Sequence, residues 1–179
     1  GVHHRFKRGY KNVIDEAVRL CSEGINAPLA IETSGHAALK ENYFLDDGAY
    51  LVTRIIIEAV KLRRENKNLL SLIEGLKSAR EEKEVRLSFK TDNWKELGNF
   101  IIESIKKLKD PRLVVAPDNY EGARVSVPAL KGWFLVRMSV HDPIMPVNIE
   151  SDIEGGADRI AAILKEYLKA FDGLNVDNL

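Results

Sequence analysis

The opening part of the chain carries apolar residues at helical spacing and then a short, continuous apolar run. Between residues 11 and 22 the apolar positions recur at intervals of three and four, which predicts a helix that ends near Gly24. The run from Ala27 to Ile31 is bounded by polar residues and predicts a buried strand. A polar cluster, residues 32–36, therefore follows directly after a predicted strand.

A second helical pattern covers residues 46–64, with Asp46 or Asp47 as its N-terminal cap. A third helix is predicted at about 69–79, and the charged stretch 79–84 after it is typical of a solvated boundary between domains. The apolar residues of the second helix that are predicted to face the interior are Val52, Ile55, Ile56, Ala59 and Val60.

The pattern changes after this boundary from helical repeats to short alternating segments. Residues 85–90 alternate as a half-buried strand does, and Thr91 or Asp92 is predicted to cap a helix that runs to about Lys109. A last amphipathic helix is predicted over about 155–171. The further strands are predicted at residues 112–116, 123–127, 133–137 and 146–151. An open antiparallel sheet with helices on one face satisfies this order of elements, which is an α+β arrangement.

Composition excludes several classes of protein. The 179 residues include 27 Lys and Arg and 27 Asp and Glu, so the formal net charge is zero. A duplex nucleic-acid surface needs a positive excess, and we therefore predict no nucleic-acid partner. No apolar run approaches the roughly 20 residues that span a bilayer, and no secretory apolar region follows the N-terminus. The one cysteine, Cys21, excludes an intrachain disulfide, and we expect a reduced, cytoplasmic setting without a membrane partner.

The polar cluster 32–36 is a candidate sugar-binding turn. The Glu32 carboxylate offers two oxygens that could accept hydrogen bonds from neighbouring sugar hydroxyls, and Ser34 could add a third contact. Gly35 would let a ligand approach the backbone. The alternative is a tight turn in which Thr33 and Ser34 satisfy local amides.

The segment before the first helix is a candidate anion contact. Four of the eight residues from His4 to Lys11 are Lys or Arg. A helix N-terminus with nearby cations suits an anion, and a solvated basic edge is the alternative.

The loop that follows the predicted strand 133–137 is a candidate phosphate site. Arg137 can hold a phosphate with its planar, bidentate guanidinium group. Ser139 and the backbone amides around Val140 can donate to the remaining oxygens, and His141 can donate as well. The alternative is a weak surface ion pair between Arg137 and Asp142.

Motifs for other chemistries are missing from the sequence. It contains no GxGxxG motif, no Walker loop and no metal-ligand spacing. The acidic pair Asp46-Asp47 followed by Gly48 lacks further ligands at alternating positions and fits helix capping better than cation binding.

In combination, these segments resemble the α-D-phosphohexomutase superfamily, the phosphomannomutase/phosphoglucomutase enzymes. Residues 32–36 resemble the glutamate-x-serine-glycine-histidine motif of the third domain, and residues 44–50 resemble the aspartate-glycine segment that opens the next helix. Residues 6–10 resemble the lysine-x-glycine segment, with Lys7 in the place of the substrate-contacting lysine. Residues 133–139 resemble the tryptophan strand and phosphate-binding loop of the fourth domain.

The resemblance implies a fold and two sets of binding residues. It makes residues 1–80 the C-terminal part of domain 3, a partial three-layer α/β domain, and 83–179 domain 4, an α+β domain like the TATA-box-binding protein. His36 would orient neighbouring groups beside the sugar rather than carry a proton. The implied sugar contacts are Lys7, Glu32, Ser34 and His36, and the implied phosphate contacts are Arg137, Ser139, Val140 and His141.

The chain also departs from the family pattern. The phosphate loop usually reads arginine-x-serine-x-threonine-glutamate-proline, whereas His141 and Asp142 replace the threonine and the glutamate here. The family's phosphorylated serine loop belongs to domain 1 and its acidic magnesium loop to domain 2. These 179 residues contain neither loop, and they also lack the first strands of domain 3.

For the complete enzyme, the resemblance implies an isomerase that moves a phosphoryl group within a hexose phosphate through a bisphosphorylated sugar. Magnesium and a hexose bisphosphate activator would serve that enzyme, with the magnesium bound outside these residues. The partners would be a hexose phosphate, whether of mannose, glucose or glucosamine, and the missing N-terminal domains. These residues alone would be inactive, and the truncated sheet edge could pair with a second copy. A non-catalytic sugar-phosphate-binding module that regulates a partner is the alternative.

Overall fold

A computed structural model describes residues 1–139 and 141–179 of the chain. These residues divide into an N-terminal unit, Gly1–Lys77, and a C-terminal unit, Ser78–Leu179. The assignment of the two parts of the chain to domains 3 and 4 of the superfamily stays a prediction.

The N-terminal unit begins with helices and a small hairpin. Asp47 caps the second helix, because its carboxylate accepts a hydrogen bond from the backbone N–H of Tyr50 at 3.0 Å. This confirms one of the two predicted caps. The elements are helices α1 (Tyr10–Ser22) and α2 (Gly48–Arg64), strands β1 (Leu29–Ile31) and β2 (Ala37–Leu39), and short 3-10 helices at Lys40–Asn42 and Leu69–Leu72.

Two predictions for this unit are wrong in detail. The strand predicted at 27–31 is shorter, and it pairs antiparallel with β2. It is buried only at Ala30, because the side chains of Leu29 and Ile31 point to the opposite face and are exposed. The helix predicted at 69–79 exists only as the first 3-10 turn, because Gly75 lies inside the pattern and glycine is a poor helix former. Strand β2 was missed, since three residues are too few to show a period.

The apolar face of α2 does not face an interior as predicted. Val52, Ile55, Ile56 and Val60 are all exposed, and Leu62 is the residue of this helix that is buried. The helical period was correct, but a period reports only that a face is apolar and does not supply the layer that covers it.

The C-terminal unit is an antiparallel sheet with two helices. In the part of the chain that the structure describes, the strands are arranged in the order β3-β7-β6-β5-β4, and every neighbouring pair is antiparallel. The strands are β3 (Glu81–Ser88), β4 (Val114–Val115), β5 (Ala123–Val127), β6 (Gly132–Val136) and β7 (Ile144–Ser151), and the helices are α3 (Trp94–Lys106) and α4 (Gly156–Leu168).

One face of this sheet and the two helices form the hydrophobic core. Helix α3 packs on β5, and α4 packs on β3, β6 and β7. The largest fully buried side chain is Phe134, at the centre of β6, and it belongs to the same cluster as Ile101 of α3 and Leu164 of α4. The predicted α/β and α+β fold class is confirmed.

The helix boundaries differ modestly from the sequence predictions. Helix α3 begins after Asn93 rather than after the predicted caps, and the Thr91 hydroxyl instead accepts the N–H of Asn93 at 3.3 Å. The strand predicted at 112–116 is reduced to β4. Within the described residues, none of the helices is both long enough and apolar enough to cross a bilayer.

The charged stretch 79–84 begins two residues after the division between the two units, close to the predicted boundary, but it is not a solvated loop. Most of it forms the first half of β3, and Glu81 caps α4 from 74 residues away. Its carboxylate accepts the backbone N–H groups of Ala157 at 2.9 Å and Gly155 at 2.6 Å, at a helix N-terminus without a side-chain cap of its own. These backbone hydrogen bonds lower the pKa of Glu81 below its ordinary value of 4.5, the bond from Ala157 having the largest effect.

We expect Glu81→Ala to lower the Tm of the C-terminal unit at neutral pH, because two helix N–H groups lose their acceptor. The folded pKa of Glu81 is depressed, so its stabilisation is present above pH 4.5 and is lost as the pH falls below that value. The difference in Tm between the two proteins should therefore shrink in acid. Differential scanning calorimetry across this range measures it, with Glu82→Ala on the other face of the strand as the control. Equal effects of the two substitutions would contradict the capping role.

Candidate functional site

The polar cluster 32–36 is the loop of a β-hairpin between β1 and β2. The backbone N–H of Glu32 donates to the His36 carbonyl at 2.9 Å, and the N–H of Gly35 donates to the Glu32 carbonyl at 2.9 Å. Gly35 has a φ of +94°, a conformation that favours glycine. A tight turn is therefore present, as in the alternative prediction, but the Thr33 and Ser34 hydroxyls donate to the Glu32 carboxylate rather than satisfying local amides. The turn places the side chains of the motif on an exposed loop.

The Glu32 carboxylate is held by its own loop. It accepts hydrogen bonds from the Ser34 hydroxyl, from the Ser34 N–H at 3.3 Å and from the Thr33 hydroxyl at 3.3 Å. The bond from the Ser34 hydroxyl lowers the pKa of Glu32, and the positive charge of Arg8 acts in the same direction. An ionised carboxylate is purely an acceptor, so this group suits ligand hydroxyls and disfavours anions.

His36 is positioned by two side chains that come from different parts of the unit. Its Nδ1 lies 2.7 Å from Oδ2 of Asp46, and its ring stacks on Tyr10 with a centroid separation of 5.0 Å. Because a carboxylate accepts, Nδ1 carries the proton, and Nε2 is left to contact a ligand. Sequence reasoning treated Asp46 only as a helix cap, and the spacing of the two residues contained no signal of this contact.

Only some residues of the basic segment and the start of α1 interact with the hairpin loop. Arg8 acts electrostatically on Glu32, and Tyr10 contacts His36, so the segment and the loop are neighbours within the unit. Lys11 pairs instead with Asp15 at 2.6 Å along the helix. The side chain of Lys7 is exposed, and among the described residues it forms no ion pair.

The predicted phosphate loop connects β6 to β7 in the C-terminal unit. The N–H of Arg137 donates to the Pro146 carbonyl at 3.1 Å, and the N–H of Ser139 donates to the Ile144 carbonyl at 3.1 Å. The Ser139 hydroxyl oxygen accepts the N–H of Asp142 at 3.3 Å, which leaves its proton available to another acceptor. Arg137 is half-buried and His141 is exposed, whereas Val140 lies outside the described residues.

Two glycines that sequence reasoning did not single out lie directly against this loop. A Cβ at Gly122 would lie 2.1 Å from the carbonyl oxygen of Val136, immediately before Arg137. A Cβ at Gly98 of α3 would lie 2.1 Å from the sulfur of Met138. Gly122 therefore needs glycine, because the atoms that a Cβ would meet there are backbone, whereas at Gly98 the flexible end of the Met138 side chain would have to move.

Trp133 lies on β6 shortly before the loop. The Arg124 guanidinium lies 3.6 Å from the centroid of its ring, and its indole N–H donates to Glu150 at 3.1 Å. The side chain thereby contacts both neighbouring strands, β5 through Arg124 and β7 through Glu150, and these contacts support the register of β6.

The two loops carry groups that can bind polar ligands. Among residues 1–139 and 141–179, no three His, Cys, Asp or Glu side chains lie close enough together to hold a metal ion. A carboxylate can bind hydroxyl groups, and guanidinium groups, serine hydroxyls and backbone amides can each bind phosphate oxygens.

Comparison with known proteins supplies a family. No family model matches the chain. The phosphomannomutase/phosphoglucomutase of Pseudomonas aeruginosa strain PAO1 is 30% identical over 148 residues, which are 82% of this chain and 30% of that protein. The protein of the same name from Pseudomonas syringae pv. tomato is 32% identical over 147 residues, 80% of this chain and 29% of that protein.

A solved structure agrees with these relatives. The phosphoglucomutase/phosphomannomutase family protein from Burkholderia thailandensis matches with a TM-score of 0.66 and 26% identity, over 95% of this chain and 33% of that chain. Fold and sequence together define a protein of the α-D-phosphohexomutase superfamily, and the resemblance inferred from the motifs is confirmed. Within the superfamily, the chain belongs with the phosphomannomutase/phosphoglucomutase proteins. It spans about a third of the length of these relatives, and the roles of its individual site residues stay predictions.

We expect Asp46→Ala to change the tautomer of His36. With the carboxylate gone, Nδ1 loses its acceptor, and the neutral ring should shift from the Nδ1–H form toward the Nε2–H form. The ¹⁵N chemical shifts of the imidazole, recorded where the ring is neutral, measure the two forms. Tyr10→Leu is the control, because it removes the stacking and leaves the hydrogen bond. An unchanged tautomer in Asp46→Ala would show that the contact does not orient the ring.

Proposed function

We propose that this chain is the substrate-binding, C-terminal portion of a phosphohexomutase. The complete enzyme would interconvert hexose 1-phosphate and hexose 6-phosphate by intramolecular phosphoryl transfer through a bisphosphorylated sugar. The observation that carries the proposal is the relation to proteins named phosphomannomutase/phosphoglucomutase over four fifths of the chain. The motif residues in the two units support it independently, because their chemistry suits a sugar and a phosphate.

In this proposal the hairpin loop of the N-terminal unit binds sugar hydroxyls. Glu32 accepts from two neighbouring hydroxyls, and Ser34 shares the contact, since its hydroxyl already lies against that carboxylate. His36 presents Nε2 from an orientation set by Asp46. Lys7 is proposed to add positive charge to the sugar site. Groups that recognise hydroxyls on either side of a hexose serve both of its phosphorylated forms.

The loop after β6 in the C-terminal unit binds the phosphate that is not reacting. Arg137 supplies a bidentate contact, and Ser139 donates the proton that its loop leaves available. The amides near Val140 and the ring of His141 complete the set in the proposal. Holding a remote phosphate converts binding energy into alignment at the reacting oxygen, which is how a portion without a nucleophile contributes to the rate.

The transfer itself is proposed to need groups beyond these residues. A phosphoserine loop and a magnesium loop would come from the N-terminal domains of the longer enzyme, and a hexose bisphosphate would act as activator. Magnesium is proposed to bind outside these residues, and among the described ones no three His, Cys, Asp or Glu side chains converge. A cytoplasmic location and the absence of a nucleic-acid partner stay predictions.

We expect the 179 residues alone to give no turnover in a coupled assay that starts from glucose 1-phosphate or mannose 1-phosphate. The reason is that residues able to accept and return the phosphoryl group are expected only in the rest of the enzyme. Turnover by the purified chain would contradict the proposal. Binding of hexose phosphate by the full-length gene product without any turnover would instead favour the non-catalytic regulatory module.

We expect Arg137→Ala to weaken hexose 6-phosphate binding by the full-length gene product by roughly tenfold to a hundredfold, because hydrogen bonds to charged groups contribute most to affinity. Glu32→Ala should have a smaller effect, since it removes contacts to neutral hydroxyls. Isothermal titration calorimetry measures both. Arg86→Ala is the matched control in the same unit, with the same loss of charge on an exposed strand position. Equal, small losses for Arg137→Ala and Arg86→Ala would remove the phosphate role from Arg137.

A further inference from the structure

The ladder between β6 and β7 continues into the phosphate loop, residues 137–143. The N–H of Arg137 donates to the Pro146 carbonyl and that of Ser139 to the Ile144 carbonyl, each at 3.1 Å. Hydrogen bonds from alternate residues are the pattern of an antiparallel strand pair, so the backbone stays extended from Arg137 to Ser139. Successive side chains of an extended backbone point to opposite faces. The residue between these two therefore points to the opposite face from both.

That residue is Met138, and its side chain packs against the hydrophobic core of the C-terminal unit. It follows the strand period of β6, since Val136, two positions earlier, is fully buried in the same core. Arg137 and Ser139, the two proposed phosphate contacts, are thus placed on the other side of the backbone. The position of both depends on how the side chain between them is held.

Helix α3 has an opening for this side chain. Gly98 is buried, and a Cβ there would overlap the Sδ atom of Met138. The end of the Met138 side chain thus lies directly against the backbone of α3, at a place that exists because residue 98 lacks a side chain. We call this place the Gly98 notch. Glycine inside a helix costs about 1 kcal/mol relative to alanine, and the contact with Met138 is what the missing side chain permits.

Phe89 borders the same notch. A Cβ at Gly98 would lie 3.0 Å from the Cζ atom of Phe89, and the Phe89 ring also lies beside Trp94, with centroids 6.2 Å apart. The backbone of Phe89 contacts the loop as well, because its N–H donates to the Pro143 carbonyl at 3.0 Å. The beginning of the phosphate loop, through Met138, and its end, through Pro143, are therefore attached to the same place.

Phe89 is fixed independently of the loop. It forms a β-bridge with Leu174, and the residues on either side of it are hydrogen-bonded through the backbone to Gly173 and Asn175, each at 2.8 Å. Leu174 is buried and belongs to the core cluster of the unit. The notch is thus bordered by a residue whose position is set by the C-terminal segment and not by the loop.

We infer that Met138 is a positioning residue for the phosphate loop. Its side chain, placed in the Gly98 notch, fixes the backbone from which Arg137 and Ser139 would reach a phosphate, and it touches no ligand itself. The inference rests on the proposed function and adds to it a residue that acts through two others. A thioether suits this place, because methionine is unbranched and fills irregular gaps between apolar groups.

Substitution of Met138 in the full-length gene product tests the inference. Met138→Ala should weaken hexose 6-phosphate binding on the order of tenfold, because small displacements of aligned groups are costly. Met138→Leu should keep the affinity within about twofold of the unsubstituted protein, since leucine retains the volume and apolar character of the side chain. Isothermal titration calorimetry measures both.

Leu108→Ala is the matched control for this substitution. Leu108 is also half-buried and packs against the same core, but it follows the opposite end of α3 from Gly98. It should therefore lower the Tm and leave the affinity unchanged. Equal losses of affinity in Met138→Ala and Leu108→Ala would show a general effect of core truncation and would overturn the inference.

A double-substitution cycle tests the notch itself. Gly98→Ala should also weaken binding, because its methyl group takes the place of the Met138 thioether. Alanine is a better helix former than glycine, so α3 should stay folded. In the Met138→Ala background the same change should have almost no further effect, since the notch is then already vacant. Additive effects of the two substitutions would contradict the contact between them.

Amide hydrogen exchange tests the positioning without any ligand. In Met138→Ala, the amide of Ser139 should exchange on the order of tenfold faster, because its hydrogen bond to Ile144 loses the support of the neighbouring side chain. Leu108→Ala should leave that rate unchanged. An unchanged rate in Met138→Ala would overturn the inference.

Arg137→Ala separates a failure of this inference from a failure of the proposed function, because it removes a proposed phosphate contact directly. If Arg137→Ala weakens hexose 6-phosphate binding and Met138→Ala does not, the positioning role fails and the phosphate role of the loop stands. If neither substitution weakens binding, the phosphate role of the loop fails, and the inference that rests on it fails as well.

Discussion

Burial of one face of the antiparallel sheet by α3 and α4 is the constraint on which the C-terminal unit depends. The side chains that alternate along β5, β6 and β7 meet both helices around Phe134, and the strands are held in a single register as a result. Because β6 ends at a fixed place in that register, the loop that begins with Arg137 starts at a fixed place as well. Gly122 extends the same constraint to the loop, since a side chain there would meet the backbone of Val136 and Arg137.

Short-range hydrogen bonds, rather than net charge, organise the polar groups of this neutral chain. The Glu81 carboxylate caps a helix that contributes no cap of its own, and Glu32 is held ionised by hydroxyl and amide donors in its own turn. Asp110 follows the same rule: hydrogen bonds from Arg112 and then from the Tyr167 hydroxyl keep its pKa well below the usual range. Such local donors explain how a chain with zero formal charge could contain the separate sites proposed for hydroxyl groups and for an anion.

The two units differ in how completely they bury their apolar side chains. The C-terminal unit encloses its apolar residues between a sheet and two helices, whereas the N-terminal unit exposes the apolar face of α2 and one edge of β1. The hairpin loop with Glu32, Ser34 and His36 is nevertheless well defined locally, because its own hydrogen bonds and the positive φ of Gly35 shape it. The conformation of a loop can thus be specified by a few neighbouring residues even where the surrounding core is small.

The sequence alone was sufficient for most helices, for the strands of the sheet and for the polar turns, since periodicity and turn residues act over a few positions. It also contained the motifs that led to the phosphohexomutase superfamily. Only the tertiary structure decided that Glu81 caps α4, that Asp46 orients His36 and that α2 is exposed. The physical reason is that these outcomes depend on partners distant along the chain, and a local pattern shows that a face is apolar or a group is polar without showing what meets it.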